Sequence, residues 1–251
     1  MVRWIAVLWV AVRWVAVLGA AVGCVVEPGD GPGRRLARDH ADADADADGL
    51  SRFGFPVAER TRISTRIGVD HDRADHGAEG LAGTVDCTDY QGRPFPHCYD
   101  EHHGTDFILA GGFPSMDAGS PEVHAAFGGV VVEAIDGNYD RCHDSFDGVT
   151  CDGFPIEANA VVVEHPDGLR SMYWHLQNGS VAVAVGDEVA CGDVLGRIGS
   201  SGNSSFPHLH FQVEGADGWI DPYAGPFSQP ESLWADQGED AALPEAGCTG
   251  G

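Results

Sequence analysis

Apolar and polar residues alternate with a period of two through several short stretches of the chain. Val130–Ile135, Ala160–His165, Arg170–Leu176, Val181–Val185, Val194–Ile198 and His208–Glu214 each read as a β-strand. Turn-forming residues punctuate them, at Asp136-Gly137-Asn138, Pro166-Asp167-Gly168, Gln177-Asn178-Gly179 and Ser201-Gly202-Asn203. Such residues bend the backbone or bond to it through their own side chains, so each cluster marks a strand end. No long stretch keeps the period of an amphipathic helix. The pattern therefore predicts an all-β, mainly antiparallel domain, a compact sandwich or partial barrel.

The alternation has a chemical consequence in the last strand. Within Gly199–Val213, read GSSGNSSFPHLHFQV, it turns His208 and His210 to one face and the apolar Leu209 and Phe211 to the other. Two imidazoles side by side on a strand are a start for a metal site. Upstream, in Asp100–Phe107, His102 and Asp106 flank Gly104, whose freedom lets the chain turn sharply. His102 and Asp106 can then converge with His210 on one ion. His103 is an alternative ligand, although the four-residue spacing favours His102. Two imidazoles, one carboxylate and an open position form the catalytic zinc pattern, whereas a structural site is closed by four protein ligands. Between these segments lies Met172-Tyr173-Trp174-His175-Leu176, where alternation places Tyr173 and His175 on a shared face. Taken singly, each of the three segments reads better as an ordinary surface strand or loop.

Composition narrows the chemistry. The 251 residues carry a formal net charge of −25, and all 14 basic residues are arginine. Without lysine there is no P-loop, no Schiff base and no Ser–Lys dyad. No basic face is visible to meet phosphates, so the sequence predicts no nucleic-acid partner. Residues 1–23 combine an early arginine, an apolar run and small residues before Cys24, the pattern of an export signal. Ala21-Val22-Gly23-Cys24 resembles a bacterial lipobox, so membrane contact through a lipid on Cys24 is expected. Residues 24–50, with their Ala-Asp repeat, read as a solvated acidic linker. Residues 51–228 have globular texture, and residues 229–251 form an acidic tail that Leu233 and Trp234 are placed to clamp. Setting Cys24 aside leaves an even set of six cysteines, which fits disulfides in an oxidising compartment. Proximity in sequence suggests Cys87–Cys98, Cys142–Cys151 and Cys191–Cys248.

Three motifs occur in a fixed order: H-x-G-x-D at His102–Asp106, Y-x-H-L at Tyr173–Leu176, and G-x-x-G-x-S-x-x-P-H-L-H-F from Gly199 to Phe211. Over roughly Phe53 to Pro226 the chain resembles the lysostaphin/LytM family of zinc endopeptidases, which cut the peptide cross-links of bacterial peptidoglycan. Asn159, Val185-Gly186-Asp187-Glu188-Val189, Gly192-Asp193-Val194-Leu195-Gly196 and Asp221-Pro222 extend the likeness. The resemblance implies long loops forming a groove and Zn2+ on His102, Asp106 and His210. It implies that His175 and His208 are catalytic, acting on a zinc-activated water and the tetrahedral intermediate. A neutral His208 accepting the water's proton and a charged His175 supporting the oxyanion is one division of labour; the reverse is the other. It further implies peptidoglycan peptides as substrate and an exported protein, on the periplasmic side of a bacterial membrane or secreted. Phe206 and Trp174 depart from the family pattern, which has small residues there, and are expected to reshape the groove. His40, His71, His76, His97, His124, His143 and His165 match no motif and are expected on the surface or in loops. The rival reading is a non-catalytic LytM-like module that binds or activates another wall enzyme. A lipoyl-type carrier hairpin is excluded by the missing lysine.

Overall fold

The computed structural model describes residues 51–72, 86–239, 243–245 and 248. The export segment, Cys24, the Ala-Asp linker, His40 and His76 lie outside the described residues.

Among the described residues the regular structure is almost entirely β, as the alternation predicts. Its strands are β1 (Ile63–Ile67), β2 (Thr105–Leu109), β3 (Glu122–His124), β4 (Gly129–Ile135), β5 (His143–Ser145) and β6 (Gly148–Thr150). They continue with β7 (Ala160–Glu164), β8 (Arg170–Trp174), β9 (Glu188–Val189), β10 (Val194–Arg197), β11 (His208–Gly215) and β12 (Gly218–Ile220). One short helix, α1 (Gly112–Asp117), follows β2. An 8-stranded antiparallel sheet runs β1-β2-β11-β8-β7-β4-β9, with β12 also paired to β11. Strands β3 and β10 form one small sheet, and β5 and β6 another.

One expected strand is absent. Val181–Val185 is irregular: the N–H groups of Val181 and Ala184 bond to the carboxylates of Asp136 and Asp187, and only Ala182 reaches a neighbouring backbone, at Leu195. Side-chain acceptors from turn aspartates have replaced the ladder that a strand needs.

The two faces of the large sheet differ in chemistry. Phe107, Leu109, Val161, Val163, Tyr173, Leu209, Phe211 and Val213 are buried on one face, and Phe53, Phe127, Val123, Leu195 and Ile198 pack over them. Trp234 completes this core, with its ring 5.2 Å from Phe211 and 6.2 Å from Phe107. The clamp expected of Leu233 and Trp234 is made by the backbone as well: Phe53 N–H donates to the Leu233 carbonyl and Ala235 N–H to the Phe53 carbonyl. Trp234 thereby enters the core itself, where truncating a residue of its size costs about 3–5 kcal/mol. The disulfides Cys87–Cys98, Cys142–Cys151 and Cys191–Cys248 are all present. His165 is not a surface residue: it is 3% exposed, its Nδ1–H donates to the Gly128 carbonyl, and burial pushes its pKa down. The opposite face of the sheet carries polar residues, and there the site is built.

Candidate active site

Cross-strand register assembles the centre of the site. β11 lies between β2 and β8, and His210 stands opposite Asp106 on one side and Trp174 on the other. Because Leu209 and Phe211 are drawn into the core, His208 and His210 must project from the other face. Asp106 shares that face because its neighbour Phe107 is fully buried below. His102 enters from the loop that precedes β2. Its Nδ1–H donates to the Gly68 carbonyl at 2.6 Å, which leaves the lone pair of Nε2 facing inward. Nε2 lies 3.1 Å from Asp106 Oδ1 and 3.2 Å from His210 Nδ1, and the last two atoms are 2.9 Å apart. All three residues are buried, and among the described residues this is the one His/Cys/Asp/Glu cluster able to hold a metal ion. His103 turns away and stacks on Trp219 at 5.4 Å.

Gly104 has a different reason from the sharp turn its sequence position suggests. Its φ is not in the left-handed region; a Cβ there would lie 2.6 Å from His210 Cε1 and Nε2. The glycine makes room for the imidazole. Gly104→Ala is therefore expected to displace the His210 ring and weaken zinc binding by roughly tenfold or more, as when a ligand loses its orientation. Titration with a competing chelator measures this.

His175 is placed by a break in the alternation. Tyr173 is fully buried in the core, so a regular strand would carry His175 into the core too. Instead β8 ends at Trp174, and His175 adopts φ 65, a left-handed conformation uncommon outside glycine. The twist brings its ring 4.6 Å from His208 and 5.9 Å from His210. The expected shared face of Tyr173 and His175 is thus corrected. Both neighbouring imidazoles are anchored alike. His175 Nδ1–H donates to the Ser201 carbonyl at 2.6 Å, and His208 Nδ1–H donates to the Phe206 carbonyl at 2.8 Å. The Nε2 of His208 faces Asp106 Oδ1 at 3.4 Å. Asn159, seen only as part of a motif in the sequence, ties these segments together. Its amide donates to the Leu176 carbonyl, and its backbone N–H donates to Ser201 Oγ.

Burial opposes the charge of Asp106, but the imidazoles of His102 and His208 outweigh it and hold the carboxyl well below the usual carboxylate range. Burial, followed by the nearby His208 and His210, holds His175 well below the usual imidazole value. Burial also lowers His210, despite Asp106. For His208, burial is overcome by the Asp106 carboxylate, which raises it. The two rings that flank the cluster are thus pushed in opposite directions, the condition under which neighbouring groups divide acid and base work.

The donor set fits zinc. Two imidazole nitrogens and a carboxylate oxygen, all on buried side chains, converge at about 3 Å. Zinc bonds of about 2.0–2.2 Å would space three tetrahedral ligands by roughly 3.3–3.6 Å, close to what is observed. Tyr99, which no motif flagged, stacks on the His102 ring at 4.1 Å, and its hydroxyl donates to Asp106 Oδ2 at 3.0 Å. Both departures from the motif border the site. Trp174 stacks on His210 at 5.4 Å, and Phe206, 38% exposed, lies 5.6 Å from the His208 ring.

Residues 100–222 match Peptidase family M23. The chain is 28% identical over 154 residues to the DD-carboxypeptidase/endopeptidase Mpg of Neisseria meningitidis serogroup B, covering 61% of this chain and 29% of that protein. It is 32% identical over 111 residues to the glycyl-glycine endopeptidase ALE-1 of Staphylococcus capitis, covering 44% of this chain and 24% of that protein. The chain therefore spans less than a third of the length of these curated relatives. Among solved structures, the catalytic domain of lysostaphin from Staphylococcus simulans is 29% identical, with a TM-score of 0.34 over 53% of this chain and 84% of that one. The matched residues take in His102, Asp106, His175, His208 and His210, and the domain that carries them belongs to peptidase family M23.

Proposed function

We propose that this domain is a zinc-dependent endopeptidase that hydrolyses the peptide cross-links of bacterial peptidoglycan. The observation that carries the reading is the meeting of three buried metal donors, His102, Asp106 and His210, with two further imidazoles whose Nδ1 atoms are tied to backbone carbonyls. A module that only held wall peptides would need neither the ligands nor the paired rings. When bound, zinc supplies Lewis acidity, which acidifies water and polarises a carbonyl. The protein's own residues do the rest. The carbonyls of Ser201 and Phe206 fix the orientation of His175 and His208, leaving each Nε2 to exchange a proton with the attacking water or to support charge on the scissile oxygen. Holding these rings in place before substrate arrives avoids reorganisation during the reaction. His102 and His210 hold the metal, and Tyr99 steadies Asp106 from its far oxygen.

We further propose that the protein is exported, carried by residues 1–23 and held at the membrane by a lipid on Cys24. The three disulfides support an oxidising compartment.

Purified sacculi digested with the zinc-loaded domain should release muropeptides with cleaved cross-links, identified by mass spectrometry, and chelation should stop the release. A fully zinc-loaded domain that binds sacculi and cleaves none, from direct or glycine-bridged walls, would overturn the enzymatic reading in favour of a binding module.

A further inference from the structure

Strand β11 places four polar residues on one face at a spacing of two: His208, His210, Gln212 and Glu214. The last two have no part in the proposed catalysis, yet Gln212 is only 6% exposed and both ends of its amide are engaged. The amide nitrogen donates to Glu214 Oε1 at 2.7 Å, and the amide oxygen lies 3.2 Å from His210 Nε2.

The orientation of that amide follows from chemistry. A carboxylate only accepts, so the NH₂ group of Gln212 must face Glu214; the reverse would press two oxygens together at the same short distance. The oxygen of Gln212 then faces His210, and an oxygen can be satisfied there only by a proton on Nε2. A neutral imidazole with its proton on Nε2 has its lone pair on Nδ1, the atom that meets Asp106 Oδ1 and His102 Nε2. Glu214 thus dictates, through one intervening amide, which nitrogen of His210 is free for the metal. His102 reaches the complementary state by donating Nδ1–H to Gly68 and presenting Nε2.

We propose that Gln212 is a positioning residue for zinc binding, and that Glu214 sets its orientation and with it the tautomer of His210. The inference rests on the metal site proposed above. It assigns a role to two residues that lie outside the ligand set and the reacting groups. Partners of this kind typically change metal affinity by 10- to 100-fold.

The test combines zinc affinity, from competition with a chromophoric chelator, with long-range ¹H–¹⁵N NMR of the metal-free protein. The His210 signals are assigned by their loss in His210→Ala. Metal-free wild-type protein should show a single Nε2–H tautomer at His210. Glu214→Gln leaves the amide free to flip and should give mixed tautomers, with zinc affinity lowered several-fold. Gln212→Leu fills the space without an acceptor and should lower affinity by about 10- to 100-fold. An Nδ1–H tautomer in the wild type overturns the relay, and so does zinc affinity in Gln212→Leu within twofold of wild type. A wild type that binds no zinc overturns the metal reading and the relay with it. Wild-type zinc binding that Gln212→Leu leaves unchanged removes the relay alone. Should Gln212→Leu fail to fold, the wild-type tautomer and the partly exposed Glu214→Gln still decide the question.

Discussion

His210→Ala and Asp106→Ala should each abolish tight zinc binding and, with it, cross-link hydrolysis. Each removes one of three protein donors from a site whose remaining pair cannot complete the set required for a catalytic zinc. The loss in zinc affinity should reach on the order of a thousandfold, exceeding the change typical when only an outer partner is removed. His103→Ala is the matched control. It deletes an imidazole adjacent in sequence to a ligand, but that ring stacks on Trp219 instead of joining the cluster. Metal analysis by mass spectrometry, together with release of fragments from sacculi, checks all three variants. Zinc content in His210→Ala and Asp106→Ala equal to wild type would reject the assigned ligands. Loss of zinc in His103→Ala would instead transfer the first ligand to that residue. Zinc occupancy should also fall on acidification, since protons compete for His102 and His210.

His175→Ala and His208→Ala should separate chemistry from metal holding. Both should keep zinc and both should lose about a hundredfold or more in turnover, the usual cost of removing a general base or an oxyanion donor. Their geometry is the reason: neither ring belongs to the cluster of three donors, yet both border it, 4.6 Å from each other. The pH profile carries a sign. In the arrangement of side chains alone, burial and neighbouring imidazoles push His175 down, while Asp106 pulls His208 up. A cation held between the ligands adds positive charge beside both rings and favours their neutral forms. Activity should therefore fall towards acid pH, as the unprotonated ring and the ligand imidazoles take up protons. In whichever variant removes the base, the acid limb should move to the lower pH at which the ligand imidazoles take up protons and zinc is lost. Retained turnover in both variants would reject the proposed mechanism, and loss of zinc in either would make that residue a ligand.

Much of the site was legible because its parts obey short-range rules. The period of two in His208-Leu209-His210-Phe211 survives folding, since the apolar pair has a core to enter and the polar pair does not. The H-x-G-x-D spacing brought His102 and Asp106 together as expected. The physical need for Gly104 was misread, because the atom it makes room for belongs to His210, far along the chain. The disulfide partners were legible from proximity, and export remains a reading of residues that the structure does not describe.

Other features were not legible locally. The Y-x-H-L motif names His175, but alternation puts it on the face of Tyr173, and a positive φ at the end of β8 moves it from the core face to the site face. Val181–Val185 alternates like a strand, but aspartates elsewhere in the sequence took its backbone donors. Tyr99 carried no pattern at all; its role comes from stacking on His102 and reaching Asp106.

Alternation and residue chemistry alone point to the all-β class, to the faces of the central histidine strand and to the three residues that meet in the donor cluster. Both act over a few neighbouring positions. Only the tertiary structure decided which nitrogen of each imidazole faces inward, because that is set by carbonyls at Gly68, Ser201 and Phe206 and by the amide of Gln212. Only it decided how His175 reaches the site, through a positive φ, and that Trp234 completes the core. Those outcomes rest on contacts between distant segments, whose energies no local pattern records.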